Sequence, residues 1–246
     1  MRMFKERIPE PASELLDKLY LEMPRDGDLD EAANIAEAFG ANVPGNTFLE
    51  IGCSDGRFSS EFARTYKQGQ VIGIDTNPEA IARASHQNRG LPHLKFVQMS
   101  VYDLIAQQER LGKVYGIYCR QTLHHLNGLS EALRQMHEIL LPGGTLILQD
   151  FDRELAGKEG YRCGLSPQQQ QGLYQAIKQG KVEREIKRLG YQEQLQALTF
   201  FSILAAYDST TIKRELEKKG LDCHVKKHPE QVSFKLIGIK PGNSSL

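Results

Sequence analysis

The chain has 246 residues, of which 40% are hydrophobic and 25% are charged. These values are ordinary for a globular protein, and the length fits one large α/β domain or one domain with an appendage. Lys+Arg and Asp+Glu both number 31, so no net field draws the protein to nucleic acid or to an anionic membrane. We therefore expect no nucleic-acid partner and no membrane partner.

The N-terminal and cysteine patterns predict a cytoplasmic protein. The opening MRMFKERIPEP has charges but lacks the apolar run of a secretory signal. No window approaches the roughly 18 apolar residues that a membrane span needs. The cysteines are scattered singly, without the spacing of a disulfide framework or a zinc site, and no metal is predicted. They are Cys53, Cys119, Cys163 and Cys223.

Two segments of different rhythm make up the first 150 residues. Residues 1–45 predict a helical cap, because PASELLDKLYLEM and DGDLDEAANIAEAFG have apolar residues at helical spacing and the second ends at Gly40. Residues 46–150 alternate short apolar runs with amphipathic stretches of helical length, among them VYDLIAQQER at 101–110. This alternation predicts βαβ units and a parallel sheet covered on both faces.

The last hundred residues interrupt and then complete this pattern. Residues 151–207 predict a helical insert after the fifth strand, with SPQQQQGLYQAIKQG opening on a helix start signal. Residues 208–246 predict a final helix and two strands, DCHVKKH and QVSFKLIGIK, whose short joint requires an antiparallel pair. The whole chain, 1–246, is thus expected to be a single doubly wound α/β domain.

The stretch FLEIGCSDGRF at 48–58 predicts a ligand loop between the first strand and its helix. Dinucleotide enzymes place GxGxxG there, but Ser54 stands at the middle glycine and Asp55 lies where a diphosphate would rest. Glu50 adds a second negative charge before Gly52. These acids favour a ligand without phosphates that carries a positive charge, while a plain strand-to-helix turn is the alternative.

Asp75 extends this interpretation, since it ends the next strand, VIGID. An acid at about this spacing from a glycine loop accepts hydrogen bonds from a ribose diol. A ribose, no diphosphate and a positive charge together describe S-adenosylmethionine, whose carboxylate can also bind backbone N–H groups at a helix start.

Several motifs in order then resemble the class I, seven-stranded S-adenosylmethionine-dependent methyltransferases. LEIGCSDG resembles the glycine motif of that family, and VIGIDTNPEAIARA resembles its ribose-binding strand. YCRQTLHHL resembles the end of the fourth strand, and ILLPGGTLILQD resembles the turn into the fifth. The resemblance implies a mostly parallel seven-stranded sheet whose last strand inserts antiparallel.

The resemblance also implies a set of cofactor-binding residues, around the methionine moiety, the ribose and the adenine. These are Glu50, Gly52, Cys53, Ser54, Gly56, Asp75, Thr76, Ser100, Val101, Cys119 and Arg120. The family often has Gly-Asp after the third strand, where this chain has Met99-Ser100. The adenine contact is therefore expected from Ser100, from backbone or from Asp103.

Catalysis and acceptor recognition are less constrained by the sequence. His124 and His125 follow the fourth strand and are the candidate general bases, with a purely structural role as the alternative. The insert 151–207 is expected to be a substrate lid or, alternatively, a helical buttress or dimer surface. Its candidate contact residues are Arg153, Tyr161, Arg162 and Tyr174.

The predicted function is methyl transfer from S-adenosylmethionine to an oxygen or nitrogen of a small organic molecule. An NAD(P)-dependent oxidoreductase, a non-catalytic cofactor-binding partner subunit and an aminopropyltransferase of related fold are the alternatives. The sequence leaves the acceptor and the oligomeric state open, with a homodimer as one option.

Overall fold

The computed structural model describes residues 32, 34–36, 46–67, 69–159 and 163–242, without the side chains of 158 and 159. The predicted N-terminal cap therefore lies largely outside the described residues. Residues 32 and 34–36 are helical, as expected, and Ile35 is fully buried. It packs in an apolar cluster with Phe48 and Phe62.

Seven strands form one mixed sheet in the order β3-β2-β1-β4-β5-β7-β6. Strands β1 to β5 run parallel, and β7 lies antiparallel between β5 and β6. The predicted doubly wound, seven-stranded sheet with an antiparallel last strand is confirmed. The strands are β1 Thr47–Ile51, β2 Gln70–Asp75, β3 Leu94–Gln98, β4 Val114–Arg120, β5 Leu140–Phe151, β6 Asp222–His228 and β7 Ser233–Ile239.

Helices cover both faces of this sheet because successive residues of its buried strands point to opposite sides. In β1, Phe48 packs into one apolar cluster, whereas Leu49 and Ile51 pack into another. The helices are α1 Arg57–Thr65, α2 Pro78–Gln87, α3 Gln108–Leu111, α4 Leu129–Ile139, α5 Arg153–Glu159, α6 Pro167–Gln179, α7 Val182–Ile186, α8 Tyr191–Ala205 and α9 Ser209–Glu217. Within the described part of the chain, none has the length and apolar character to cross a membrane.

The expected helix over 101–110 is wrong. The structure has a 3₁₀ turn at 101–103 and then only the four residues of α3. The Ser100 side chain caps the turn, and the Ile105 N–H donates to the Gln135 side chain at 2.8 Å instead of to a backbone carbonyl. A partner from α4 thus replaces the hydrogen bond that would continue a helix.

The helical insert after β5 has an apolar core of its own, built by α5 to α8 around Ile186 and Phe201. Its two ends are held together by Asp152, which is fully buried. The Ser209 hydroxyl, at the start of α9, donates to Asp152 at 2.6 Å, and the Lys227 ammonium lies 3.5 Å from it. The insert therefore leaves and rejoins the sheet at one fixed point.

Candidate active site

A cavity of about 390 Å³ opens at the carboxyl ends of the central strands. The chain turns in opposite directions from β1 and β4, which lie side by side, and ligands of open α/β sheets bind at such a switch point. Several predicted cofactor residues line this cavity, namely Gly52, Ser54, Asp75, Thr76, Ser100 and Val101. The candidate base His125 lines it as well.

The glycine loop after β1 is held in a conformation that its sequence permits. Gly52 and Gly56 both have positive φ, 75° and 77°, which glycine adopts without steric cost. The N–H groups of Gly52 and Cys53 donate to the Ile74 carbonyl, so the loop is fastened to the end of β2. A Cβ at Gly52 would lie 2.1 Å from the Thr122 hydroxyl oxygen. The loop therefore requires glycine at 52 on two grounds.

Asp75 joins the glycine loop to the second strand. Its Oδ2 accepts the Ser54 N–H at 2.9 Å, and its Oδ1 accepts the Asn77 N–H at 2.9 Å. Both oxygens are thus fixed in direction by backbone donors, while the half-buried carboxylate still faces the cavity. An ionised carboxylate has about four lone-pair sites, so two remain for hydroxyl groups of a ligand.

The wall after β3 is formed by Met99, Ser100 and Val101. The Ser100 hydroxyl accepts the Tyr102 N–H at 3.2 Å and keeps its own proton available to a ligand. Asp103 is exposed and is not part of the wall. Of the side chains expected to contact adenine, Ser100 is therefore the one that the cavity presents.

Five predicted cofactor residues lie outside the cavity wall. Glu50 is buried behind the loop and accepts a hydrogen bond from the Ser59 hydroxyl. At Gly56 a Cβ would lie 2.4 Å from the Phe96 ring, so this glycine permits close packing of the loop on β3. The remaining three are Cys53, Cys119 and Arg120.

Both of these cysteines are poor nucleophiles. Burial raises the pKa of Cys53 well above its usual value, and the charges of Glu50 and Asp75 raise it further. Burial, followed by the charge of Asp150, also raises the pKa of the Cys119 thiol. Since the thiolate is the reactive form, both thiols are inert at neutral pH.

Asp55 lies within the loop but is turned away from the cavity wall. One of its oxygens accepts from the Arg57 Nε at 2.9 Å, and the other is buried without a hydrogen-bond partner among the described residues. The described lining of the cavity contains no lysine and no arginine, and Asp75 is its acid. The cavity is thus chemically unsuited to a diphosphate, as the sequence predicts.

Behind the cavity, His124 forms a buried pair with Asp150 at the end of β5. Both residues are 3% exposed, and the imidazole Nδ1 lies 2.7 Å from the carboxylate Oδ1. The His124 N–H also donates to Oδ2 at 3.2 Å. The imidazole Nε2 is buried without a hydrogen-bond partner among the described residues. An unsatisfied buried polar atom of this kind costs about 1–3 kcal/mol.

Sequence reasoning found His124 but missed Asp150. The signal was present, because GTLILQD ends on an acid at the same edge of the sheet as the turn that carries His124. Register settles the proximity: Cys119 pairs with Leu148 and Arg120 with Gln149. Reading the ends of two strands that are adjacent in the sheet, though 26 residues apart in the chain, would have found the pair.

The pair makes stability depend on pH in acid. Burial alone would raise the pKa of Asp150, but the His124 imidazole and the Phe151 N–H outweigh it, and the pKa lies below its usual value. The carboxylate therefore stabilises the fold at a pH above its unfolded pKa of ~3.9, and this contribution is lost as the pH falls through the folded value. We expect Asp150→Asn to lower the free energy of unfolding by about 2 kcal/mol at neutral pH. Urea unfolding should show this difference shrinking toward about pH 2, and a constant difference would contradict it.

His125, the second candidate base, lies at the cavity surface. Its ring centroid is 4.1 Å from that of His124, so the two imidazoles are in contact. The Phe151 ring lies 5.9 Å from His124 on another side. The structure thus arranges His125 at the wall and His124 directly behind it.

Two tyrosines fix the loop at 126–128, which closes one side of the cavity. The Tyr207 hydroxyl, just after α8, donates to the Leu126 carbonyl at 2.6 Å. The Gly128 N–H donates to the Tyr102 hydroxyl at 3.0 Å. Leu126 and Asn127 line the cavity, so the end of the insert is physically connected to the cavity wall.

Removing the Tyr207 hydroxyl tests this connection. A neutral hydrogen bond contributes about 0.5–1.5 kcal/mol, so we expect Tyr207→Phe to weaken ligand binding in the cavity by roughly 3- to 10-fold. Tyr191→Phe is the matched control, because Tyr191 is 55% exposed on α8. Calorimetric titration measures both, and equal affinities in the two variants would contradict the role of Tyr207.

The predicted acceptor contacts of the insert are only partly described. Arg153 donates from Nη1 to the Leu204 carbonyl at 3.1 Å, and Tyr174 packs against the apolar core of the insert beside Lys178. Tyr161 and Arg162 lie outside the described residues. Phe200 and Phe201, in the stretch expected to roof a pocket, are buried in the core of the insert.

Other charged groups point to no second site. Lys213 pairs with Glu217 at 3.4 Å and Lys218 with Glu215 at 2.9 Å, so these basic residues belong to a solvated, ion-paired face. Among the residues that the structure describes, no group of three or more His, Cys, Asp or Glu is placed to hold a metal ion.

The chain is similar to known proteins over much of its length. A family model described as a methyltransferase domain matches residues 25–225. The ubiquinone biosynthesis O-methyltransferase of Xanthomonas campestris pv. campestris (strain B100) is 32% identical over 112 residues, 45% of this chain and 45% of that protein. The U6 snRNA methylphosphate capping enzyme Amus of Drosophila melanogaster is 34% identical over 125 residues, 42% of this chain and 41% of that protein.

Solved structures share the fold at lower identity. The plantazolicin methyltransferase BamL, crystallised with a triazolic desmethylPZN analog and SAH, superposes with a TM-score of 0.66 at 13% identity. The superposition covers 94% of this chain and 91% of that one. The matched region spans less than half the length of the two curated relatives described above.

Proposed function

The chain belongs to the methyltransferase domain family, and we propose that it transfers a methyl group from S-adenosylmethionine to an oxygen or nitrogen of a small organic molecule. The predicted recognition as a class I, S-adenosylmethionine-dependent methyltransferase is confirmed by the family model and by the sheet order. The acceptor and the residues that act on it remain proposals.

The observation that carries the proposal is the cavity at the switch point, lined by an anchored acid and by no cation. Asp75 would accept the ribose hydroxyls, and the loop at 52–56 would surround the methionine moiety. Ser100 and Val101 would contact the adenine. Glu50, buried behind the loop, supplies a negative charge near the cationic end of the ligand.

The bound cofactor supplies an electrophilic methyl group on a sulfonium. Transfer of that group is an in-line displacement, so the protein contributes mainly by holding the acceptor atom in line. A general base is needed only where the acceptor must lose a proton. His124 and His125 remain the predicted bases, with His125 at the wall and His124 behind it.

Two other functions fit the chain less well. An NAD(P)-dependent oxidoreductase needs room for a diphosphate, and Ser54 at the middle-glycine position together with the cation-free lining disfavours it. A nucleic-acid acceptor, suggested by the Drosophila relative, is disfavoured by the zero net charge and by the ion pairs on the basic face. A non-catalytic partner subunit is separated only by turnover.

We also propose a cytoplasmic setting and a single domain over 1–246. All four cysteines are free and buried, which suits a reducing compartment. The apolar core of the insert, and the Asp152 contact that holds its ends, support a single unit in which 151–207 is an elaboration of the sheet domain.

Turnover tests the proposal. The purified protein is incubated with methyl-labelled S-adenosylmethionine and pooled small compounds that carry hydroxyl or amino groups. We expect labelled product with one equivalent of S-adenosylhomocysteine, and inhibition by added S-adenosylhomocysteine. Tight cofactor binding without transfer to any compound would instead assign the chain to the non-catalytic subunits.

A further inference from the structure

The buried pair of His124 and Asp150 is the one polar group near the cavity that cofactor binding does not use. The imidazole has a carboxylate at 2.7 Å on Nδ1 and no hydrogen-bond partner on Nε2 among the described residues. Buried polar groups are nearly always paired, so an exception calls for a functional account. The ring lies in contact with His125, which itself lines the cavity.

The carboxylate determines which imidazole nitrogen carries the proton. The pKa of Asp150 lies below its usual value because the opposing effect of burial is outweighed by His124, so the group is ionised at neutral pH. An ionised carboxylate only accepts hydrogen bonds, and Nδ1 must therefore be the donor. In the neutral imidazole the lone pair is then on Nε2, which is the atom left unpartnered.

We propose that His124 is the general base of the methyl transfer, that Asp150 is its positioning residue, and that the acceptor is a hydroxyl on an aromatic ring. This inference rests on the proposed function and names its acceptor class. The acceptor binds where the cavity meets the turn at 123–125, against which α8 packs.

The acceptor class follows from proton affinity and from the surroundings. A phenolic hydroxyl has a pKa near 10, as tyrosine does, which a neutral imidazole can deprotonate during attack, whereas an alkyl alcohol is far less acidic. An uncharged amine attacks through its lone pair and needs no base for that step. The Phe151 ring, 5.9 Å from His124, offers an aromatic neighbour to an aromatic acceptor.

The reaction balances without a further reagent. The acceptor oxygen forms a bond to the methyl carbon as the carbon–sulfur bond breaks, and the bonding electrons remain on sulfur as neutral S-adenosylhomocysteine. The hydroxyl proton passes to His124 Nε2, and Asp150 stabilises the imidazolium. Release of that proton to solvent returns the base.

The test compares His124→Gln, Asp150→Asn and His125→Gln with His224→Gln, whose side chain is 78% exposed on β6. Phenol, catechol, 4-nitrophenol and benzylamine are the acceptor probes. We expect methylation of the phenols by the wild-type protein and a fall in kcat of about 100-fold in His124→Gln, with a smaller fall in Asp150→Asn. Affinity for S-adenosylhomocysteine and activity in His224→Gln should be unchanged.

Acceptor acidity separates a base from a merely structural histidine. The deficit of His124→Gln should be smallest with 4-nitrophenol, because an acceptor that ionises by itself does not need the base. A structural defect would lower kcat equally for every phenol. A uniform deficit, full activity in His124→Gln, or loss confined to His125→Gln overturns the proposal.

The wild-type pH profile needs no variant. Because the base must be neutral, kcat should fall toward acid with phenol and should stay nearly flat with 4-nitrophenol. Asp150 on β5 and His125 on the same turn are the titratable neighbours of His124, and the titratable residues of α8 are Tyr191 and Glu193 in its first turn. A flat profile with phenol, or methylation of benzylamine alone, overturns the proposal. Cofactor binding without methylation of any phenol also overturns it, whereas absence of cofactor binding overturns the proposed function instead.

Discussion

Replacing Asp75 with alanine is expected to lower the affinity for S-adenosylhomocysteine by about 1,000-fold. Two hydrogen bonds from the ribose hydroxyls to an ionised carboxylate are worth about 2 kcal/mol each, and about 4 kcal/mol corresponds to that factor. The change also releases the N–H groups of Ser54 and Asn77, which Asp75 now holds at 2.9 Å. The loss therefore combines a missing contact with a looser loop.

The two parts of this effect can be separated. Asp75→Asn keeps one acceptor oxygen, so it should bind more tightly than Asp75→Ala and more weakly than the wild-type protein. Asp222→Ala is the matched control, because that side chain is 75% exposed on the edge strand β6. Calorimetric titration that gives Asp75→Ala the affinity of Asp222→Ala would remove Asp75 from the site.

Replacing Gly52 with alanine is expected to abolish measurable cofactor binding and to destabilise the fold. The positive φ of 75° costs a residue with a Cβ about 1–2 kcal/mol. The new Cβ would lie 2.1 Å from the Thr122 hydroxyl oxygen, and such overpacking costs about 1–3 kcal/mol more. Relief of this clash must move either the loop or the turn at 122, and both line the cavity.

Gly157→Ala is the matched control for the glycine loop. Gly157 is exposed within α5, and a Cβ there would meet nothing within 4 Å. Alanine should therefore leave binding unchanged and slightly stabilise the helix. Thermal unfolding with and without S-adenosylhomocysteine compares the two variants. Retention of a ligand-induced shift in Gly52→Ala would show that the loop tolerates a side chain.

Local sequence patterns predicted most of the fold because each one had a physical cause that acts at short range. The apolar runs of β1 and β2 are buried on both faces, and Pro78 after the capping Asn77 begins α2 where expected. The stretch 101–110 went wrong because its helix is ended by Gln135, a partner 30 residues away from Ile105. No pattern within the stretch indicates that hydrogen bond.

The same distinction holds in the candidate site. Gly52 and Asp75 could be predicted because a turn and a strand end restrict which residues fit there. Asp150 and Tyr207 were missed, since their roles depend on partners brought together by the sheet and by the insert. The acceptor contacts proposed for the insert could not be ranked for a similar reason. Arg153 turned out to bind a carbonyl of α8, a contact that only the packed insert creates.

Calorimetric titration of the wild-type protein with S-adenosylhomocysteine, beside NADH, tests the central claim most directly. The cation-free cavity and the anchored Asp75 predict binding of S-adenosylhomocysteine with an affinity on the order of micromolar, and no binding of NADH. Binding of NADH, or a folded protein that binds neither ligand, would contradict the account.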